Sequence, residues 1–157
     1  MEGDMKRVLF AGMENTSCSL MAEAVFNDLI RQQELGEKIS SESAGINQWM
    51  QGKEPDPLVL ELLRENGVSA EGLNPKQLVR EDLETFDYIL CMDQQTGQEV
   101  QKLLRASAGK PFVFLFLEFI NSHTISNSDP YYTDDSRKGY NLIVEGSKEL
   151  IKKLKNE

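Results

Sequence analysis

The stretch that most constrains the fold of this chain is residues 8–26, VLFAGMENTSCSLMAEAVF. Its first four residues are apolar, which predicts a short buried strand. Beyond a loop of small and polar residues, apolar side chains recur at three- and four-residue spacing, which predicts a helix; they are Met21, Ala22, Val25, Phe26, Leu29 and Ile30. A strand, a tight loop and a helix N-terminus together predict an anion-binding cradle, because unpaired backbone N–H groups and the helix dipole converge there.

The rest of the chain alternates predicted strands with predicted helices. The further strands are expected at residues 39–44, 87–93 and 112–116, and the further helices at residues 57–65, 94–104 and 138–155. This alternation predicts an α/β fold with a parallel sheet and right-handed crossovers. No internal repeat or linker divides the 157 residues, so we expect one domain over residues 1–157.

Several element ends can be predicted from single residues. We expect the first helix to end near Gly36, with that glycine in the left-handed conformation. Asp56 followed by Pro57 predicts the start of the second helix, with Leu58, Val59, Leu62 and Leu63 as its buried stripe. Asp93 is expected to cap the helix that follows it, and Cys91 to fill the core.

Composition limits the classes of partner. The formal net charge of -9 argues against binding to nucleic acid or to anionic membranes. No apolar run approaches the roughly 20 residues of a membrane span, and the N-terminus lacks the apolar core of a secretion signal. The two cysteines, Cys18 and Cys91, predict neither a disulfide framework nor a metal site. We therefore expect a cytoplasmic protein with no metal and no cofactor.

Residues 8–26 closely resemble the phosphate-binding loop of the low-molecular-weight protein tyrosine phosphatases, whose version reads like VLFVCLGNICRSPMAEAVF. Three later segments extend the resemblance: SAGINQWMQGKEPDP at residues 43–57, FDYILCMD at residues 86–93 and DPYY at residues 129–132. The resemblance implies the single-domain, three-layer α/β/α fold of that family, with a four-stranded parallel sheet.

The resemblance also assigns roles to residues. It implies an anion-binding loop made of Gly12, Met13, Glu14, Asn15, Thr16, Ser17, Cys18 and Ser19. Asp129 stands at the position of the general acid, and Trp49, Tyr131 and Tyr132 stand where aromatic walls hold a phenyl ring. The nucleophilic cysteine of the family falls on Gly12, and its phosphate-binding arginine falls on Cys18.

The family reaction resembles a two-step displacement through a cysteinyl-phosphate, which needs a thiolate nucleophile and a bidentate arginine. Gly12 has no side chain and cannot be a nucleophile. We therefore expect a catalytically inactive member of the family, a pseudophosphatase that acts as a binding or regulatory module. Its ligand would be a protein partner or a weakly bound anion, and nothing in the sequence indicates the oligomeric state.

Two enzyme readings stay open beside this one. Cys18, at a helix N-terminus, is a candidate for thiol redox chemistry. It would project from the place of the arginine, however, and in-line attack on phosphorus needs placement within about an ångström. Residual phosphatase activity through an unforeseen loop geometry is the other reading. Glu14 would repel a phosphate if its carboxylate faced the loop, or would leave it undisturbed by pointing to solvent.

Overall fold

The computed structural model describes residues 5–47, 53–120 and 136–157. Its strands are Lys6–Gly12 (β1), Ile39–Gly45 (β2), Tyr88–Cys91 (β3) and Phe112–Leu115 (β4). Its α-helices are Cys18–Gln32 (α1), Pro57–Glu65 (α2), Arg80–Thr85 (α3), Gln94–Leu104 (α4) and Ser136–Lys155 (α5), and a short 3-10 helix spans Phe116–Phe119. Strands and helices alternate as the sequence predicts, except that two helices, α2 and α3, lie between β2 and β3.

The four strands form one parallel sheet in the order β2-β1-β3-β4. β1 lies inside the sheet and pairs with β2 on one side and with β3 on the other. Its last residue, Gly12, is in register with Gly45 at the end of β2. Because all strands run the same way, their carboxyl ends meet at one edge of the sheet, which is where open α/β sheets usually bind ligands.

Helices cover both faces of this sheet. On one face α1, α2 and α5 pack against alternate strand residues such as Val8 and Phe10, and Phe10 meets the ring of Phe26 edge-on at 5.4 Å. On the other face α3 and α4 pack against the residues in between, which include Leu9 and Cys91. β1 is apolar on both faces because both faces are buried. The predicted three-layer α/β/α fold in a single domain is confirmed.

Two predicted helix starts are confirmed in detail. The Asp56 carboxylate accepts a 2.9 Å hydrogen bond from the backbone N–H of Leu58, and Pro57 occupies the first turn of α2. The Asp93 carboxylate accepts a 2.7 Å bond from the N–H of Thr96 at the start of α4. Each side chain satisfies a backbone N–H that the helix itself leaves without an acceptor.

The prediction for the end of α1 was wrong. The helix stops at Gln32, and the left-handed residue is Glu34, with φ of 58°, rather than Gly36. The N–H of Leu35 bonds the carbonyl of Ile30 at 2.9 Å, the six-to-one bond of a Schellman motif. This motif turns Leu35 back toward the core, which requires the left-handed residue to be the one before it.

Three further expectations need correction. Leu58 is 46% exposed. It lies in the first turn of α2, at the edge of the stripe that Val59, Leu62 and Leu63 bury. Phe116 begins the 3-10 helix instead of ending β4. The sequence did not predict α3, a helix of six residues. Among the described helices, none is long and apolar enough to cross a membrane.

Candidate anion-binding loop

The predicted loop joins the end of β1 to the start of α1 at the carboxyl edge of the sheet. Gly12 is buried as the last residue of β1, and its carbonyl accepts a 2.9 Å bond from the N–H of Ile46. Cys18 is the first residue of α1 and is half-buried. The strand, loop and helix N-terminus therefore lie in the order and place that an anion cradle requires.

Hydrogen bonds from other parts of the chain fix the loop. Asn15 is fully buried; its side-chain nitrogen donates to the hydroxyl of Ser19 at 2.8 Å, and its side-chain oxygen accepts from the N–H of Lys76 at 2.8 Å. The carbonyl of Thr16 accepts a 2.8 Å bond from the N–H of Asp56, just before α2. The carbonyl of Met13 likewise accepts from the N–H of Asn47 at 2.9 Å. The loop thus has a defined shape.

Within this shape, a backbone carbonyl takes the space beside Gly12. A Cβ atom added to Gly12 would lie 2.9 Å from the carbonyl oxygen of Glu14 and 3.4 Å from the hydroxyl oxygen of Ser19. The first distance is shorter than real Cβ atoms adopt, so a side chain at position 12 would require the backbone at Glu14 to move. The same carbonyl accepts a 3.4 Å bond from the Ser19 hydroxyl.

The electrostatic character of the loop is mixed. The first N–H groups of α1 have no acceptor within the helix. The first turn of α1 holds no acidic residue, so the helix itself supplies no acidic side chain to compensate the positive end of its dipole. The Glu14 carbonyl oxygen carries partial negative charge and opposes an anion over Gly12. Residue Glu14 is exposed, which favours the second of the two orientations that the sequence left open, a side chain in solvent.

The two cysteines differ as expected. Cys91 is fully buried on β3, and burial, together with the charge of Asp93, raises the pKa of its thiol to about 12. Cys18 is half-buried at the start of α1. The core position of Cys91 is therefore confirmed, and Cys18 is the more accessible of the two thiols.

Polar residues beneath the loop were not singled out from the sequence. Glu23 of α1 accepts a 2.5 Å bond from the buried hydroxyl of Ser43 on β2. Burial raises the pKa of Glu23, although the bond from Ser43 acts in the opposite sense. The sequence signal that could have indicated Glu23 is a carboxylate inside the apolar helix pattern at residues 21–26. The neighbouring Glu42 forms ion pairs with Lys76 at 2.5 Å and with Arg7 at 3.4 Å, which no sequence pattern indicates.

The remaining predicted site residues lie outside the described part of the chain. They are Trp49, Asp129, Tyr131 and Tyr132. Their roles as pocket walls and general acid stay predictions. Among the described residues, no group of three or more His, Cys, Asp or Glu could hold a metal ion.

A parallel sheet with a short, tied loop between an inner strand and a helix N-terminus is an arrangement in which many α/β proteins bind phosphate. Comparison with known proteins identifies the family. The family model described as low molecular weight phosphotyrosine protein phosphatase matches residues 7–157, and the chain belongs to that family.

Individual relatives agree over nearly the whole chain. The chain is 34% identical to the low molecular weight protein-tyrosine-phosphatase YfkJ of Bacillus subtilis, over 98% of each sequence. Identity to the low molecular weight phosphotyrosine protein phosphatase of Sus scrofa is 32%, over 83% of each. The crystal structure of YfkJ superposes with a TM-score of 0.83 at 33% identity, covering 99% of this chain and 98% of that one. The structure of DARP, a Drosophila arginine phosphatase, gives a TM-score of 0.83 at 27% identity, covering 96% and 98%.

Proposed function

We propose that this chain is a catalytically inactive member of its phosphatase family that acts as a binding or regulatory module. One observation carries the proposal. The space for a side chain at Gly12, the residue on which the nucleophile falls by resemblance to the family loop, is taken by the Glu14 carbonyl. The loop backbone is thus fitted to glycine, as expected of a loop that no longer forms a covalent intermediate.

The side chains nearest to Gly12 do not replace the nucleophile. The Ser19 hydroxyl is buried, accepts a bond from Asn15 and donates its proton to the Glu14 carbonyl. Neither of these two described partners of the Ser19 hydroxyl is a general base that could activate it. Cys18 begins α1 at the other end of the loop from Gly12. Its side chain therefore leaves the backbone at a different point from that of a nucleophile at position 12, and attack on phosphorus is sensitive to such a displacement.

The loop has also lost the family's main contact to phosphate. Cys18 occupies the arginine position, so the charge-assisted bidentate contact is missing, at about 1.5–3 kcal/mol for each hydrogen bond to a charged group. The N-terminal N–H groups of α1 remain and favour weak anion binding. We expect inorganic phosphate to bind no tighter than about 1 mM, which corresponds to about -4 kcal/mol. The regulatory ligand is then a protein partner that recognises the surface around the loop.

An activity assay tests this proposal. The purified chain is incubated with p-nitrophenyl phosphate and with phosphoarginine, since one similar structure is that of an arginine phosphatase. Cys18→Ser is the matched variant. We expect no phosphate release above a buffer blank from either protein. Release by the parent that Cys18→Ser abolishes would instead establish an enzyme that uses Cys18, and release by both would establish an unforeseen phosphatase mechanism.

A further inference from the structure

A cleft lies at the opposite end of the sheet from the loop. It has a volume of about 380 Å³, within the usual range for small-molecule sites. Lysine and apolar side chains line most of it: Lys6, Lys38, Lys155, Leu35, Ile39 and Leu154. Lys6 begins β1 and Gly12 ends it, so the seven residues of this strand separate cleft and loop by roughly 20 Å. The cleft therefore stands apart from the proposed function.

The walls of this cleft are held by backbone hydrogen bonds. The carbonyl of Leu35 accepts bonds from the N–H groups of Lys38 at 2.9 Å and Ile39 at 3.0 Å. The N–H of Lys6 donates to the carbonyl of Lys38 at 2.8 Å, and its ammonium group bonds the carbonyl of Leu154 near the end of α5. Two strand starts and a helix end are thus locked together, which makes the cleft a preformed feature of the fold.

The charge of the cleft is opposite to that of the protein. The chain carries a formal net charge of -9, yet three lysines line this cleft. The ammonium group of Lys6 is already bonded to the carbonyls of Leu154 and Glu157, so Lys38 and Lys155 are the two that remain for a ligand. The one acidic residue of the lining, Glu157, is already paired with Lys153 at 2.8 Å and accepts the hydroxyl proton of Tyr88 in a hydrogen bond. Lys38 and Lys155 are exposed, and neither forms an ion pair with any of the described residues.

Helix electrostatics account for only part of this arrangement. Basic residues in the last turn of α5, Lys155 among them, stabilise the negative end of the helix dipole. Lys38 belongs to the turn before β2, and the dipole does not explain its position in the same cleft. The apolar floor beside these cations also has no role in a helix cap. Ile39 and Leu154 are almost fully buried, while Leu35 is half-buried and accessible.

We propose that this cleft binds a small amphipathic anion, a molecule with a single carboxylate or phosphate head and a short apolar body. The ammonium groups of Lys38 and Lys155 would hold the head by charge-assisted hydrogen bonds. The apolar body would lie against Leu35, the partly exposed apolar residue of the lining, where it loses contact with water. A ligand in this position bridges the start of β2 and the end of α5.

Titration of isotopically labelled protein, followed by amide NMR shifts, tests the site. The probes are sodium octanoate and octyl phosphate, with acetate as the head without a tail and octanol as the tail without a charge. We expect both amphiphiles to shift the amides of Leu35, Lys38 and Ile39 while those of the loop stay in place. Whichever amphiphile binds with the higher affinity identifies the preferred head group, carboxylate or phosphate. Equal affinity for octanol or acetate, or shifts centred on the loop, would overturn the proposal.

Paired variants make the test specific for the lysines. Lys38→Gln with Lys155→Gln should weaken octanoate binding by about tenfold or more, the scale of one lost charge-assisted hydrogen bond. Lys110→Gln with Lys148→Gln changes the net charge equally at exposed sites outside the cleft and should leave the affinity unchanged. Equal loss in both double variants would mean that only net charge matters, and the cleft would not be a site.

Discussion

The backbone N–H of Lys76 donates a 2.8 Å hydrogen bond to the side-chain oxygen of Asn15, which is 61 residues earlier in the chain. The nitrogen of the same side chain donates to Ser19 at 2.8 Å. One buried amide therefore connects the loop to the segment between α2 and α3 and to the first turn of α1. These two bonds hold the loop to two other parts of the fold.

Replacing Asn15 by alanine should lower the free energy of unfolding by about 1–3 kcal/mol, because both of its partners lose a bond in a buried place. Urea unfolding followed by circular dichroism measures the change. Asn74→Ala is the control, since Asn74 is exposed and, among the described residues, its side chain makes only a local 3.4 Å hydrogen bond to the carbonyl of Gly72. Equal stability of the two variants would show that the Asn15 bonds do not support the loop.

The two thiols should differ in their reaction with iodoacetamide. Cys91 is buried and the pKa of its thiol is raised to about 12, so it should react only when the protein unfolds. Cys18 is half-buried at a helix N-terminus, which favours the thiolate, and should react first. Mass spectrometry of partly labelled protein gives the order, and urea should abolish it. Faster labelling of Cys91 in the native protein would contradict the placement of both residues.

Two neighbouring carboxyls should give opposite pH dependences of stability. Burial raises the pKa of Glu23 above its ordinary value of 4.5, so the folded state keeps this proton longer than the unfolded state. Stability is then lost as the pH rises from the unfolded pKa through the folded one. Glu23→Gln should remove this loss. Urea unfolding between about pH 4 and 7 measures it, and a slope equal to that of the parent would contradict the prediction.

For Glu42, burial acts to raise the pKa, but the hydrogen bonds and charges of Lys76 and Arg7 outweigh it and lower the pKa below 4.5. Its contribution to stability is therefore present above the unfolded pKa and is lost as the pH falls through the folded one. Glu42→Gln should lower stability at pH 7 by less than about 1 kcal/mol, because the pairs are partly exposed. The free energy of unfolding of the variant should also fall less on acidification than that of the parent. A steeper fall than in the parent would contradict the lowered pKa of Glu42.

Much of the fold could be predicted because its signals are local or periodic. The stripe from Met21 to Ile30 reports the buried face of α1, and Asp56 with Pro57 reports a helix start. Predictions failed where tertiary packing decides the outcome. The return of Leu35 to the core places the left-handed residue at Glu34, although glycine has the better propensity two residues later.

The candidate site divides in the same way. The place of the loop follows from the strand and helix patterns on either side of it, and the absence of a side chain at Gly12 is visible in the sequence. The position of the Glu14 carbonyl is not, because it depends on bonds from Asn15 to residues that lie elsewhere in the fold. The same is true of the contact between Glu23 and Ser43, which needs the packing of α1 on β2.

If the loop is inactive as proposed, changes at three of its residues should restore activity. Gly12→Cys supplies a nucleophile but brings its Cβ to 2.9 Å from the Glu14 carbonyl, so alone it should destabilise the protein without giving turnover. Glu14→Gly should let this backbone reorient, since glycine adopts more conformations. Cys18→Arg adds the phosphate contact but nothing that can attack. The three changes together should act as one unit, so that activity appears in a strongly non-additive way.

The most direct test compares kcat/KM for p-nitrophenyl phosphate between the parent and the triple variant Gly12→Cys, Glu14→Gly and Cys18→Arg, with both shown to be folded. We predict a parent at the level of the buffer blank and a triple variant with clear turnover. Asp129→Ala should then slow that turnover by about 10²–10⁴-fold, as for a placed general acid. A parent that hydrolyses the substrate as fast as the triple variant, with or without Cys18, would contradict the account.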